Sequence, residues 1–120
     1  MQAMLFSATA DPEASQRFYR QILGLKLLAD TPFALVFDVE GTTLRVQKVE
    51  HVVPVPYTVL GFEVDDLTTT VTQLAERGVS FQQYSFLDQN EQGIWTTGDG
   101  AQIAWCQDPD GNTISFSAHS

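Results

Sequence analysis

Two periodicities run through the chain. Behind Asp11, a candidate N-cap, and Pro12 at the first helical position, the apolar residues Ala14, Phe18, Tyr19, Ile22 and Leu23 recur at spacings of three and four until Gly24 stops the pattern. Behind Asp66 a second, weaker face of Leu67, Val71, Leu74 and Ala75 runs to Gly78. Thr68, Thr69, Thr70 and Thr72 are poor helix formers, so propensity alone leaves a strand as a rival there. Elsewhere short apolar-rich stretches bounded by turn residues predict strands at 3–9, 25–30, 33–38 and 42–49, then 57–64, 79–86, 101–107 and 112–118.

These elements repeat. Phe33 to Arg45 matches Ile103 to Ser115 at an offset of 70, with Leu35 on Trp105, Asp38 on Asp108, Gly41 on Gly111 and Leu44 on Ile114. At an offset of 55, Asp11 falls on Asp66. The repeat favours the helix over the strand in the second unit and predicts an α+β chain of two tandem βαβββ modules. They cover one 120-residue domain: module 1 at 1–49, a Pro-containing linker at 50–56, and module 2 at 57–120. The long loop Leu87 to Gly100, with Trp95, suggests a lid or rim.

Charge narrows the function classes. Six Lys and Arg against fifteen Asp and Glu give a net charge of −9, and six scattered cations cannot make the basic stripe that nucleic acid requires. Solubility explains the acidity most simply, with cationic ligands as the alternative. Met1 to Ala10 carry no Lys or Arg and no apolar run approaches ~18 residues, so the expectation is a soluble cytoplasmic protein without a membrane partner. Cys106 stands alone, which rules out an internal disulfide and reads as a small buried hydrophobe.

Asp108-Pro109-Asp110-Gly111-Asn112 is a turn sequence that should close the last hairpin, since Pro109 presets φ and Gly111 tolerates φ > 0. This hairpin, the paired modules, and Phe18-Tyr19 followed by Leu23-Gly24-Leu25 together resemble the vicinal oxygen chelate superfamily, which includes glyoxalase I, extradiol dioxygenases and bleomycin-resistance proteins. The resemblance covers essentially the whole chain. It implies curved mixed sheets around a cup, a homodimer, and, in the family's metalloenzymes, ligands at positions that here are Met4, Arg45, Val59 and Ser115. A Glu commonly binds metal where Ser115 stands. None of the four is His, Glu or Asp, and a guanidinium has no lone pair to offer, so no metal and no cofactor are expected. His51 and His119 have no partner at ligand spacing.

If position 115 looks inward as the resemblance implies, strand alternation turns Ile103, Trp105, Ser115 and Ser117 toward the cup. Through the repeat, Phe33, Leu35, Thr43, Arg45 and Gln47 follow. Met4, Phe6, Tyr57 and Val59 come from the first strands, Glu63 and Trp95 from the rim, while Leu60, Phe62 and Val64 become core. Two readings of this aromatic set stand: a ligand platform or ordinary core. Two also stand for Arg45: a salt bridge, for example with Glu63, or an anchor for a ligand carboxylate or phosphate. The functional expectation is a metal-independent protein that binds an apolar or aromatic small molecule. The alternatives are an enzyme of the superfamily (lyase, isomerase, epimerase or dioxygenase) with a displaced or absent metal site, and a scaffold whose cup is closed by side chains.

Overall fold

A computed structural model describes residues 1–119. Two four-stranded sheets carry the architecture. In the first, β1 (Leu5–Thr9), β2 (Lys26–Asp30), β3 (Ala34–Val39) and β4 (Thr42–Lys48) lie in the order β1-β4-β3-β2, with β1 parallel to β4 and the other pairs antiparallel. In the second, β5 (Leu60–Glu63), β6 (Trp95–Thr96), β7 (Gln102–Gln107) and β8 (Thr113–Ala118) repeat that order as β5-β8-β7-β6. Each parallel pair needs a crossover, and a helix supplies it.

The helix of module 1 starts where its cap directs. Asp11 accepts from the Ala14 amide at 3.2 Å, and Pro12 opens α1 (Pro12–Gln16). From Arg17 to Ile22 the helix widens to π geometry, with the Leu23 amide donating to the Phe18 carbonyl at 2.9 Å. Phe18 and Tyr19 both enter the core from this stretch. In module 2, Asp66 accepts from the Thr69 amide at 3.1 Å, an interaction that holds its carboxyl below the usual range. The following α2 (Leu67–Glu76) buries Leu67, Val71 and Leu74, but Ala75 is exposed. Gly78, at φ +99, ends it.

One apolar core lies between the helices and the sheets of both modules. It contains Tyr19, Leu35, Phe37, Leu44 and Val46 from the first module and Leu60, Val71, Cys106, Ile114 and Phe116 from the second. The modules are clasped at the Asp108–Asn112 turn. The Tyr19 hydroxyl donates to Asp108 Oδ2 at 2.7 Å, and the Asn112 side-chain amide reaches the Ala8 carbonyl at 2.9 Å. The Ala10 amide donates to Asp110 Oδ1 at 2.8 Å, and β1 and β5 run close to one another at the module junction.

Two strand expectations are corrected. Residues 79–86, with Val79, Phe81, Tyr84 and Phe86, are apolar-rich as a strand should be, yet form none. The Gln89 side chain takes the backbone groups that a strand partner would need: its amide donates to the carbonyls of Gln82 (2.9 Å) and Gly93 (2.7 Å), and its oxygen accepts from the Tyr84 amide (2.7 Å). Only Gln82 bonds the β7 backbone, donating to Trp105 O at 2.8 Å. The edge beside β7 is completed instead by β6, from within the predicted loop.

The second correction concerns register. Leu35 pairs with Val46 and Phe37 with Leu44, so Leu35 points into the core and is 0% exposed. It is not a cup residue. The Glu40-Gly41 turn makes the β3–β4 hairpin one residue shorter than the β7–β8 hairpin, so the repeat offset is 70 after the turn but 69 before it. Val36, not Leu35, is the counterpart of Trp105. Phe33 precedes β3 and belongs to neither strand face.

Two buried acids give the fold an alkaline limit. Burial, with the nearby Asp108 charge, pushes the Cys106 thiol up from 9.0 to about 12, and burial chiefly, with Asp108, also raises the Tyr19 phenol. Both keep their protons when folded and release them more readily when unfolded, so the unfolded chain binds fewer protons and stability falls as pH rises. We expect the urea midpoint to decline from about pH 9 toward pH 12 through Cys106, with Tyr19 adding to it from about pH 10. A flat urea midpoint over that window would contradict it.

Candidate functional site

The sheet faces opposite the helices form the candidate site. On module 1, register sets Phe6, Arg45, Val36 and Ala29 in one row across β1, β4, β3 and β2. On module 2 the equivalent row is Gly61, Ser115 and Trp105, and the next is Glu63, Ser117, Ile103 and Trp95. Gln47 lies on the same face as Arg45. Met4 precedes β1, while Tyr57 and Val59 precede β5; all three are exposed. Leu60 and Phe62 take the opposite face, toward the core.

The strongest feature is aromatic. Trp95 and Trp105 stack with centroids 6.2 Å apart and planes 29° apart. Tyr84 meets Trp105 edge-on at 5.5 Å, and Phe86 lies 5.5 Å beyond Tyr84. Both tryptophans of the chain are therefore in one cluster. Trp105 is half-buried and Phe86 is 79% exposed, so the cluster is not sealed into the core. Phe6, half exposed, adds an aromatic surface on the module 1 side.

The sequence reading missed Tyr84, Phe86, Gly61 and Val36. Tyr84 and Phe86 reach the site because segment 79–86 leaves the sheet, which its apolar-rich composition could not reveal. Gly61 was legible from the offset of 55, which pairs it with Phe6.

Arg45 has neither an ion pair nor a side-chain hydrogen bond among the described residues. The ion pair found there joins Lys48 to Asp30 at 2.5 Å. An Arg45–Glu63 bridge, one example under the salt-bridge reading of Arg45, is absent among the described residues. His51 and His119 lie exposed in the linker and near the C-terminus.

The four positions where the fold family would place a metal hold Met4, Arg45, Val59 and Ser115. This donor set offers one thioether, one hydroxyl and a permanent cation, and does not fit a divalent metal. Among the described residues no three His, Cys, Asp or Glu side chains converge as a metal site. A cleft of about 350 Å³ lies away from this face, lined by Phe18, Ile22, Val79, Gln82 and Asp108 among others; a second of about 330 Å³ touches Trp95 and the Asp88–Asn90 loop. No helix among the described residues is long and apolar enough to cross a membrane.

The sequence model of the Glyoxalase/Bleomycin resistance protein/Dioxygenase superfamily matches residues 3–116, and the chain belongs to that superfamily. The fold agrees. A glyoxalase/bleomycin resistance protein from Catenulispora acidiphila superposes with a TM-score of 0.74 at 23% identity, covering 100% of this chain and 99% of that one. Lactoylglutathione lyase from Agrobacterium tumefaciens gives 0.74 at 16% identity, with 98% and 94% covered. An integron cassette protein from the mobile metagenome of the Halifax Harbour sewage outfall gives 0.74 at 20% identity, with 99% and 100% covered. A comparison with curated proteins finds no match.

Proposed function

We propose that this chain is a metal-independent binding protein that holds an aromatic or apolar small molecule against the Trp95–Trp105–Tyr84 cluster. The observation that carries the proposal is the stacked tryptophan pair, left partly open on the face opposite the helices. Small-molecule sites are typically apolar and aromatic with a few polar groups, and here Ser115, Ser117 and Gln47 supply the polar ones. A planar ligand gains stacking and edge contacts from such a pair. Superfamily enzymes, including the lyase from Agrobacterium, provide the competing reading. It lacks support from the side chains, since Ser115 has no visible general base and the four metal positions carry unsuitable donors.

Trp105→Leu is the direct test. The platform reading expects calorimetric affinity for a naphthyl probe to fall several-fold, with stability reduced only modestly. Unchanged affinity accompanied by a large stability loss would make Trp105 a core residue and end this reading.

A further inference from the structure

The two modules present matching positions with unlike side chains, and the difference points to a ligand class. Arg45 in module 1 corresponds to Ser115 in module 2, and Phe6 to Gly61. Arg45 is half-buried, and its cross-strand neighbours on the same face are Phe6 and Val36, both apolar. A guanidinium among apolar neighbours loses hydration and ordinarily gains a carboxylate in return. Among the described residues Arg45 has none.

Gly61 is the complementary position, exposed and without a side chain. It has no left-handed φ to explain it, and a Cβ there would stand 3.1 Å from Ser115 Oγ. Where module 1 carries the Phe6 ring, module 2 carries no side chain at Gly61, which is exposed with the Ser115 hydroxyl packed beside it, next to Trp105 in the same row. The open floor and aromatic wall are on the module 2 side. The uncompensated cation is on the module 1 side.

Building on the binding function proposed above, we infer that the ligand is an aromatic anion, with its ring over Gly61 against Trp105 and its carboxylate or comparable acid group on Arg45. This selection runs against the net charge of −9, so it must come from the local guanidinium and not from the protein's overall field. Two acids also occupy this face. Asp38 lies across from Lys26 and accepts from the Gly41 amide at 3.0 Å, while Glu63 has no ion-pair partner among the described residues. Glu63 is the group an amine ligand would choose.

Calorimetry with 2-naphthoate, 2-naphthamide and 2-naphthylmethylammonium separates these outcomes, because the three share a ring and differ in charge. The inference expects 2-naphthoate to bind at least about tenfold more tightly than the amide, as a charge-assisted bidentate contact should provide. Arg45→Gln should abolish that preference by weakening the acid far more than the amide, and Arg45→Lys should restore part of it. Equal affinities for acid and amide, or tightest binding of the ammonium, would overturn the inference and leave the aromatic-binding function standing. Failure of all three probes to bind would overturn both.

Discussion

Asp108→Ala should destabilise the protein by about 3 kcal/mol, the scale expected for removing a buried acceptor shared by several donors. Asp108 is only 4% exposed. Its Oδ1 accepts from the Asp110 amide at 3.0 Å and the Asn112 amide at 2.9 Å, while Oδ2 accepts from the Tyr19 hydroxyl at 2.7 Å and Asn112 Nδ2 at 2.9 Å. Truncation removes the acceptor of all four contacts at once and leaves the Asp110 and Asn112 backbone amides and the Tyr19 hydroxyl without it. It also releases Asn112, whose amide bonds the Ala8 carbonyl across the module junction. Tyr19→Phe should cost less, because Asp108 would retain three of its donors. A thermal melt should show Asp108→Ala lowered by roughly 10 °C or more for a domain of this size. A shift of under 3 °C would show that the turn closes the hairpin but does not clasp the modules.

The turn itself was legible in sequence, since Pro109 and Gly111 each have a local backbone reason. Its work as a clasp was not, because Tyr19 and Ala8 lie about a hundred residues away in the chain, and no local signal links them to Asp108. The same division runs through the fold. The Asp11 and Asp66 caps, both helical faces and the repeated module were readable because each is a short-range pattern. The strand expected at 79–86 failed for a tertiary reason: the Gln89 side chain, held by the Gly93 carbonyl, also bonds the backbone of Gln82 and Tyr84, groups that a strand would offer to a ladder. In the candidate site, Trp105, Ser115, Ile103 and Ser117 share the face that alternation gave them. Leu35 does not, because a constant offset of 70 ignores the one-residue difference between the two hairpins.

That register difference has a large energetic consequence. Leu35→Ala should cost about 2–5 kcal/mol, since it removes a fully buried side chain from a core that includes Phe37, Leu44 and Val46. Val36→Ala, one residue along, should cost well under half as much, because Val36 is only partly buried and faces the opposite side of the sheet beside Arg45. Binding should respond in the reverse order. Val36 contributes to the row that contains Arg45, so its truncation should weaken an aromatic acid, whereas a folded Leu35→Ala protein should retain most of its affinity. Chemical denaturation and probe binding measured on both variants test the assignment together, because a one-residue slip in a strand exchanges every face. If Val36→Ala proved the more destabilising and Leu35→Ala the more damaging to binding, β3 would have to be turned over and the cup rebuilt around Leu35.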